Sequence, residues 1–266
     1  MRFLGFLCAA LICFGAMAKA EERIVLRADN TIVIRTPIDG ESVAQFLDAF
    51  YTSKADPLYI FVSSPGGSVD DGFKITEALR ATKKNVVCIA SFVASMAFSI
   101  MQACPTRMVT EHAIMMQHVG SYGLRGQAPN NNSMNSFAQR LFISLEKSDA
   151  KRLGMKLAAF QAKIRDDWWL LGDESVDADA ADDVAQVLCS PEMTAKRQNV
   201  TFNTMFGAIT ATYSGCPLAS DPLSIGFKRN LTINPIIADG QYYDFIQQLY
   251  VGNFLRDRLN HASPQK

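Results

Sequence analysis

The chain has 266 residues, with 26 basic and 26 acidic side chains, three histidines and 48% hydrophobic residues. Balanced charge without a basic stripe interleaved with aromatics argues against nucleic-acid binding. No Cys-x-x-Cys or His-x-x-x-His pair offers a zinc site, and the apolar content suffices for one substantial core.

Met1-Arg2 carries a positive charge, Phe3 to Phe14 run apolar, and Gly15, Ala16, Ala18 and Ala20 are small. That order predicts a secretory signal peptide over residues 1–20, cleaved before Glu21. The run is short for a membrane span, so an uncleaved anchor is the lesser alternative. Ile12 ahead of Cys13 disfavours lipid attachment. Losing Arg2 and Lys19 leaves 24 basic against 26 acidic residues, in a mature chain expected in the periplasm or outside the cell. It retains Cys88, Cys104, Cys189 and Cys216. An oxidising compartment allows two disulfides among them in three connectivities, with Cys189–Cys216, tying tail to core, favoured.

Arg23 to Leu26 and Thr31 to Arg35, around Ala28-Asp29-Asn30, read as a hairpin. Ser42 to Tyr51 has helical periodicity through Val43, Phe46, Leu47 and Phe50. Leu58 to Val62 suits a strand buried on both faces. The Ser63–Gly67 turn follows, then a helix through Ile75 and Leu79. Val86 to Ala90 predicts another buried strand, Met96 to Ala103 a helix closed by Pro105, and Met108-Val109 and Ala113 to Met116 two short strands. Gly120 to Asn132 reads as a Gly/Asn-rich loop, followed by helices over Met134–Leu153 and Lys156–Ile164. This alternation predicts an α/β domain with a largely parallel sheet over residues 21–190. Residues 191–266 form an extension without assigned role, in which Tyr242 to Leu259 suits a closing helix.

Three segments put reactive groups where buried strands end, the usual place for ligand sites in open α/β sheets. The paired glycines Gly66-Gly67 allow a sharp turn with exposed N–H groups. Ser95 opens an apolar helix, whose dipole favours developing negative charge. His118 closes a strand, whereas His112 precedes it and His261 lies in a polar tail. Taken singly, these read as an ordinary turn, a helix cap and a structural histidine.

Together, Ser64-Pro65-Gly66-Gly67-Ser68-Val69, Ala94-Ser95-Met96 and His118 resemble the proteolytic subunit of Clp protease. The resemblance implies a Clp/crotonase-like fold of repeated β-β-α units flanked by helices. It also implies Ser95 as nucleophile, His118 as base, and an oxyanion hole from the N–H groups of Gly67 and Met96. Gly120-Ser121-Tyr122 and Gly126-Gln127-Ala128 resemble the family's glycine-rich substrate strand, which implies substrate contacts at Gly66, Gly120, Tyr122 and Gly126. Asp167-Trp168-Trp169-Leu170 resembles the segment of the catalytic aspartate, and Arg107 keeps the family spacing to His118. The interval from Asp167 through Glu174 and Val176 to Asp182 also fits. The likeness covers roughly residues 31–190. Four positions depart from it. Ala97 replaces a glycine, Val119-Gly120 replaces Gln-Pro, Gln117 stands where an apolar residue is usual, and Asp166 is an adjacent rival for the orienting acid.

The expected function is an exported serine endopeptidase acting on unfolded or short polypeptides, without cofactor, metal or ATPase partner, since ATP is absent outside the cytoplasm. A homo-oligomer is compatible with the sequence. A Ser–Lys hydrolase resembling signal-peptide peptidases, drawing on Lys147, Lys151 or Lys156, is an alternative. So is a catalytically inactive binding module, which Ala97 and the altered flank of His118 would suit. An enoyl-CoA hydratase is disfavoured by the lack of a matching glutamate pair.

Overall fold

A computed structural model describes residues 23–123, 127–204, 207–219 and 222–227. The expected signal peptide, Gly126, the closing helix and His261 lie outside the described residues. In chain order the elements begin β1 (Arg23–Leu26), β2 (Thr31–Ile34), α1 (Gly40–Thr52), β3 (Leu58–Ser64), α2 (Val69–Ala81), β4 (Val86–Ala94) and α3 (Met96–Ala103). They continue with β5 (Thr106–Gln117), α4 (Ala128–Arg152), α5 (Leu157–Ile164), β6 (Trp168–Leu171), α6 (Gly172–Asp177), β7 (Asp183–Val184) and β8 (Gln186–Cys189). The extension adds α7 (Pro191–Ala195), β9 (Arg197–Thr204), β10 (Gly207–Ser214) and β11 (Ser224–Phe227).

The central sheet runs β2-β3-β4-β5-β6, with β7 also paired to β5. Its β2–β3, β3–β4 and β4–β5 pairs are parallel, and β6 closes it antiparallel. Alternate residues of buried strands serve opposite faces. Ile60, Val62, Cys88, Ala90 and Val109 join the core under the helices, while Phe61, Ile89 and Met108 join a second cluster with Ile24, Leu26 and Met193. This two-faced burial explains the nearly continuous apolar runs of β3 and β4. The result is the expected α/β fold with a mainly parallel sheet flanked by helices.

Three elements differ from the sequence reading. The first two strands do not form a hairpin: β1 pairs in parallel with β8, and β2 joins β3. Asn30 shapes the turn between them, its side chain accepting from Arg27 N–H at 2.7 Å. Ile24 and Leu26 then reach the cluster with Phe61, Ile89 and Met108. Met108 to Met116 lies within one strand, β5, rather than two. Polar Thr110, Glu111 and His112 break its apolar pattern because β5 bulges there: Ala90 pairs with Val109 and Phe92 with Ile114, leaving 110–113 against Ser91. Helix α4 starts at Ala128, inside the expected loop, with Pro129 in its first turn. It stops at Gly154, whose φ of 65° suits a left-handed cap. The Gly154 N–H donates to Lys151 O and the Met155 N–H to Ala150 O.

The extension forms a three-stranded antiparallel sheet ordered β11-β10-β9. Cys189–Cys216 bonds it to the end of β8, as favoured from sequence, and Cys88–Cys104 joins β4 to the end of α3.

Candidate active site

Strand β4 runs straight into α3, and Ser95 is the residue between them. Its backbone, at φ 57° and ψ −124°, occupies a region that non-glycine residues rarely adopt. The Ser95 N–H donates to Met116 O at 2.9 Å, which fixes the turn against the end of β5. Two residues beyond that carbonyl stands His118. Ser95 and His118 line one pocket, together with Met96, Gln117, Gly120, Phe142, Leu145, Glu146 and Asp149.

Asp167 approaches from β6. The antiparallel register pairs Ile114 with Leu171, and on through Gln117 with Trp168. His118 and Asp167 are the residues just beyond that last pair, one following β5 and the other preceding β6. Asp166 falls another step away and is exposed, whereas Asp167 is half-buried. Asp167 does not line the pocket. It adopts a left-handed backbone at φ 57°, a conformation aspartate tolerates better than most residues.

The Gly66-Gly67 turn closes the other side. Ile38 N–H donates to Gly66 O and Ser68 N–H donates to Ile38 O, both at 2.8 Å. Gly67 lies between these bonds as the bridge partner of Ile38, so its own N–H is turned away from Ile38. Among the described residues neither the Gly67 N–H nor the Met96 N–H finds an acceptor. The two turns touch: a Cβ on Gly66, which has φ 89°, would lie 2.5 Å from Ala94 O, 2.7 Å from Met96 N and 2.8 Å from Ser95 Cβ. Only glycine permits that approach.

The expected substrate-strand positions behave differently. Residues 119–123 carry no strand, and 128 already belongs to α4. Gly120 packs against the Phe142 ring, which α4 brings over the pocket. The Tyr122 hydroxyl bonds Asn135, and its ring lies 5.6 Å from that of Phe142. Lys147, Lys151 and Lys156 line no part of the pocket, which removes the geometric support for a Ser–Lys pair.

Asp149, on α4, was not singled out from sequence. It is fully buried; its Oδ2 accepts from Ser99 Oγ at 2.6 Å and Gln117 Nε2 at 3.3 Å. Gln117 Nε2 also donates to Ser99 Oγ, and Gln117 Oε1 accepts from the His118 N–H at 3.0 Å. Asp149 Oδ1 has no partner among the described residues. Burial pushes the Asp149 carboxyl up to about 7, against the Ser99 and Gln117 hydrogen bonds and the charge of Arg80. A signal existed in its placement one turn after Leu145 on the buried stripe of α4, and in polar Gln117 at a core position. Among the described residues no cluster of His, Cys, Asp or Glu is suited to hold a metal ion.

A strained serine between a buried parallel strand and a helix, with glycine turns beside it, defines a Clp/crotonase-like α/β protein. The chain belongs to the Clp protease family, whose sequence profile matches residues 16–187. It is similar to ATP-dependent Clp protease proteolytic subunit 2 of Pseudomonas aeruginosa, at 28% identity over 140 residues covering 52% of this chain and 70% of that protein. The ATP-dependent Clp protease proteolytic subunit of Oltmannsiellopsis viridis is 30% identical over 135 residues, 50% of this chain and 69% of that protein. Subunit 1 of Protochlamydia amoebophila is 24% identical over 177 residues, covering 63% and 85%.

Proposed function

We propose that the protein is an exported, ATP-independent serine endopeptidase that hydrolyses unfolded or short polypeptides through Ser95, His118 and Asp167. The peptidase domain is residues 21–190, and 191–266 is its extension. The observation that carries this reading is the shared pocket of Ser95 and His118, with Asp167 just ahead of the strand that pairs with the end of β5. Ser95 Oγ attacks the peptide carbonyl as His118 takes its proton. The Gly67 and Met96 N–H groups receive the developing oxyanion; losing one such donor typically costs about a hundredfold or more in rate. His118 returns the proton to the leaving amine, and water then cleaves the acyl-enzyme by the same route. Asp167 holds the imidazole orientation and stabilises its charged form. Two disulfides suit an oxidising compartment, which supports export.

A fluorophosphonate reagent tests the reading without knowledge of the natural substrate. Stoichiometric labelling is expected, abolished by Ser95→Ala and slowed at least about a thousandfold by His118→Ala. A wild-type protein that takes no label at any pH is instead a binding module with the same fold.

A further inference from the structure

Strand β2 is an edge of the central sheet, and its sequence, Thr31-Ile32-Val33-Ile34, carries none of the charges or prolines that usually guard such an edge. The parallel register sets Thr31 against Tyr59 and Val33 against Phe61, with the Tyr59 N–H donating to Asn30 O at 2.8 Å. Asn30, Ile32 and Ile34 therefore direct their backbone groups to β3, while Thr31 and Val33 turn N–H and C=O outward. Strand β9 is an edge too. The Gly215 N–H donates to Lys196 O at 2.8 Å, so by antiparallel alternation the even-numbered residues of β9 bond β10, and Arg197, Asn199 and Thr201 face away. Among the described residues these outward groups have no backbone partner. The two open edges line one cleft of about 510 Å³, with buried Ile34, Phe46 and Met193 also in its wall. It shares no residue with the pocket of Ser95. The matched Clp profile ends at residue 187, so the β9 wall belongs to the extension.

We infer that this cleft docks an extended peptide segment bearing acidic side chains, taken up as an added strand between β2 and β9. The docking goes beyond the peptidase reading and does not depend on it. A strand placed there stands about 4.8 Å from each edge and turns alternate N–H and C=O groups toward each, so both rows gain partners. A small molecule offers no such ladder on both sides. Charge sets the preference for acids. The ionisable groups in the wall are Arg35, Lys196 and Arg197 against Glu41. The three cations gather at one end. Arg35 donates to Cys216 O at 3.3 Å and lies 4.9 Å from the Tyr213 ring, whose register partner is Gln198, next to Arg197. Arg35 and Arg197 already donate to carbonyls, which leaves exposed Lys196 as the side chain that meets an acid. Two residues beyond Thr36, Ile38 bridges Gly67, so the chain leads from this basic end to the glycine turn within about 7 Å. On the peptidase reading, a docked chain is thereby presented beside the active site.

The experiment uses the full chain carrying Ser95→Ala, so that no peptide is cleaved, with fluorescein-labelled peptides of about eight residues that alternate valine with glutamate, serine or lysine. Fluorescence anisotropy should rank them glutamate, serine, lysine, with about a tenfold difference in Kd between the extremes. Lys196→Glu should narrow or reverse that ranking; an unchanged ranking overturns the charge preference. Methylating alternate backbone nitrogens of the glutamate peptide should weaken it about tenfold in either register, because each set faces a different strand. Loss in one register only would place the peptide on a single edge and overturn insertion between the two. Hydrogen exchange locates the site. The amides of Thr31, Val33, Asn199 and Thr201 should exchange readily in the free chain and become protected with peptide. Protection already present without peptide would mean that another part of the chain, or a second copy, fills the cleft, and overturns the proposal. So does a chain that binds no peptide, or one in which peptide protects only residues around the Ser95 pocket. Fluorophosphonate labelling of wild type is read separately, so the cleft and the peptidase reading fail independently.

Discussion

At Asp149 a single carboxyl couples stability to pH. Its folded value, about 7, lies above the 3.8 of an ordinary aspartate. Between those values the unfolded chain has released the proton that the folded chain still holds. Stability therefore falls as pH rises through that window, and the penalty is complete above about 7. Arg80 eases ionisation, Glu146 opposes it, and His118 faces the same pocket from the end of β5. Asp149→Asn keeps an acceptor for Ser99 and Gln117 but cannot ionise. Relative to wild type it should gain a few kcal/mol on going from about pH 4 to about pH 8. Thermal melts of both proteins at the two pH values check this; parallel shifts would show that Asp149 ionises freely.

At the scale of elements, β5 leads directly into His118, and its opposite end is anchored by Arg107. The buried guanidinium bonds Asp182 through Nε at 3.1 Å, Gln102 Oε1 at 2.6 Å and Asp179 O at 2.8 Å. The Arg107 N–H also donates to Asp182 at 2.7 Å, so α3, β5 and the α6–β7 connection meet at one side chain. Burial raises the Asp182 carboxyl, but its hydrogen bonds to Arg107, with the charges of Arg107 and Arg152, hold it below the usual range. The sign is opposite to that of Asp149. This contribution is present above the unfolded pKa and disappears as pH falls through the folded one. Asp182→Asn should lower the melting temperature near neutral pH, and the deficit against wild type should shrink below about pH 4; a deficit constant with pH would refute the ion pair's part. Such anchors also mark what was legible in the sequence. Strands β3 and β4 and helices α3 and α5 were readable because burial on both faces, or a compact apolar run ended by Pro105, leaves a local pattern. The Ser95, His118 and glycine-turn segments stood out only together, through their joint resemblance to the Clp proteolytic subunit, since each alone reads as an ordinary strand end. The pairing of β1 with β8 was not, because its partner lies about 160 residues downstream and local alternation favours a hairpin equally. Asp149 escaped notice because an acid on a long, largely polar helix looks solvated until β5 and α3 close over it.

Across the whole molecule, the two disulfides bind the chain at different depths. Cys88–Cys104 spans 16 residues between β4 and the end of α3, and both sulfurs are buried in the main core. Cys189–Cys216 spans 27 residues and holds the three-stranded extension against the domain. Loop closures of these lengths each correspond to about 3–4 kcal/mol in the chain-entropy account. Around the outer bond Ala211, Tyr213, Ser214 and Cys216 are buried. Arg35 donates to Cys216 O at 3.3 Å with its guanidinium 4.9 Å from the Tyr213 ring, and Ser214 Oγ donates to Thr194 O at 3.1 Å. Arg35 Nε and Nη1 are buried there without partners among the described residues, so the interface has little polar satisfaction in reserve. Half-buried Cys189 should admit mild reductant under native conditions, whereas the inner pair should resist until the domain unfolds. Alkylation and mass mapping after graded reduction should therefore find Cys189 and Cys216 modified first. Limited proteolysis of that species should cut within 190–227, leaving a fragment that still takes fluorophosphonate at Ser95. Simultaneous reduction of both bonds, or loss of labelling with the first, would show that the extension is part of the catalytic domain's fold rather than tethered to it.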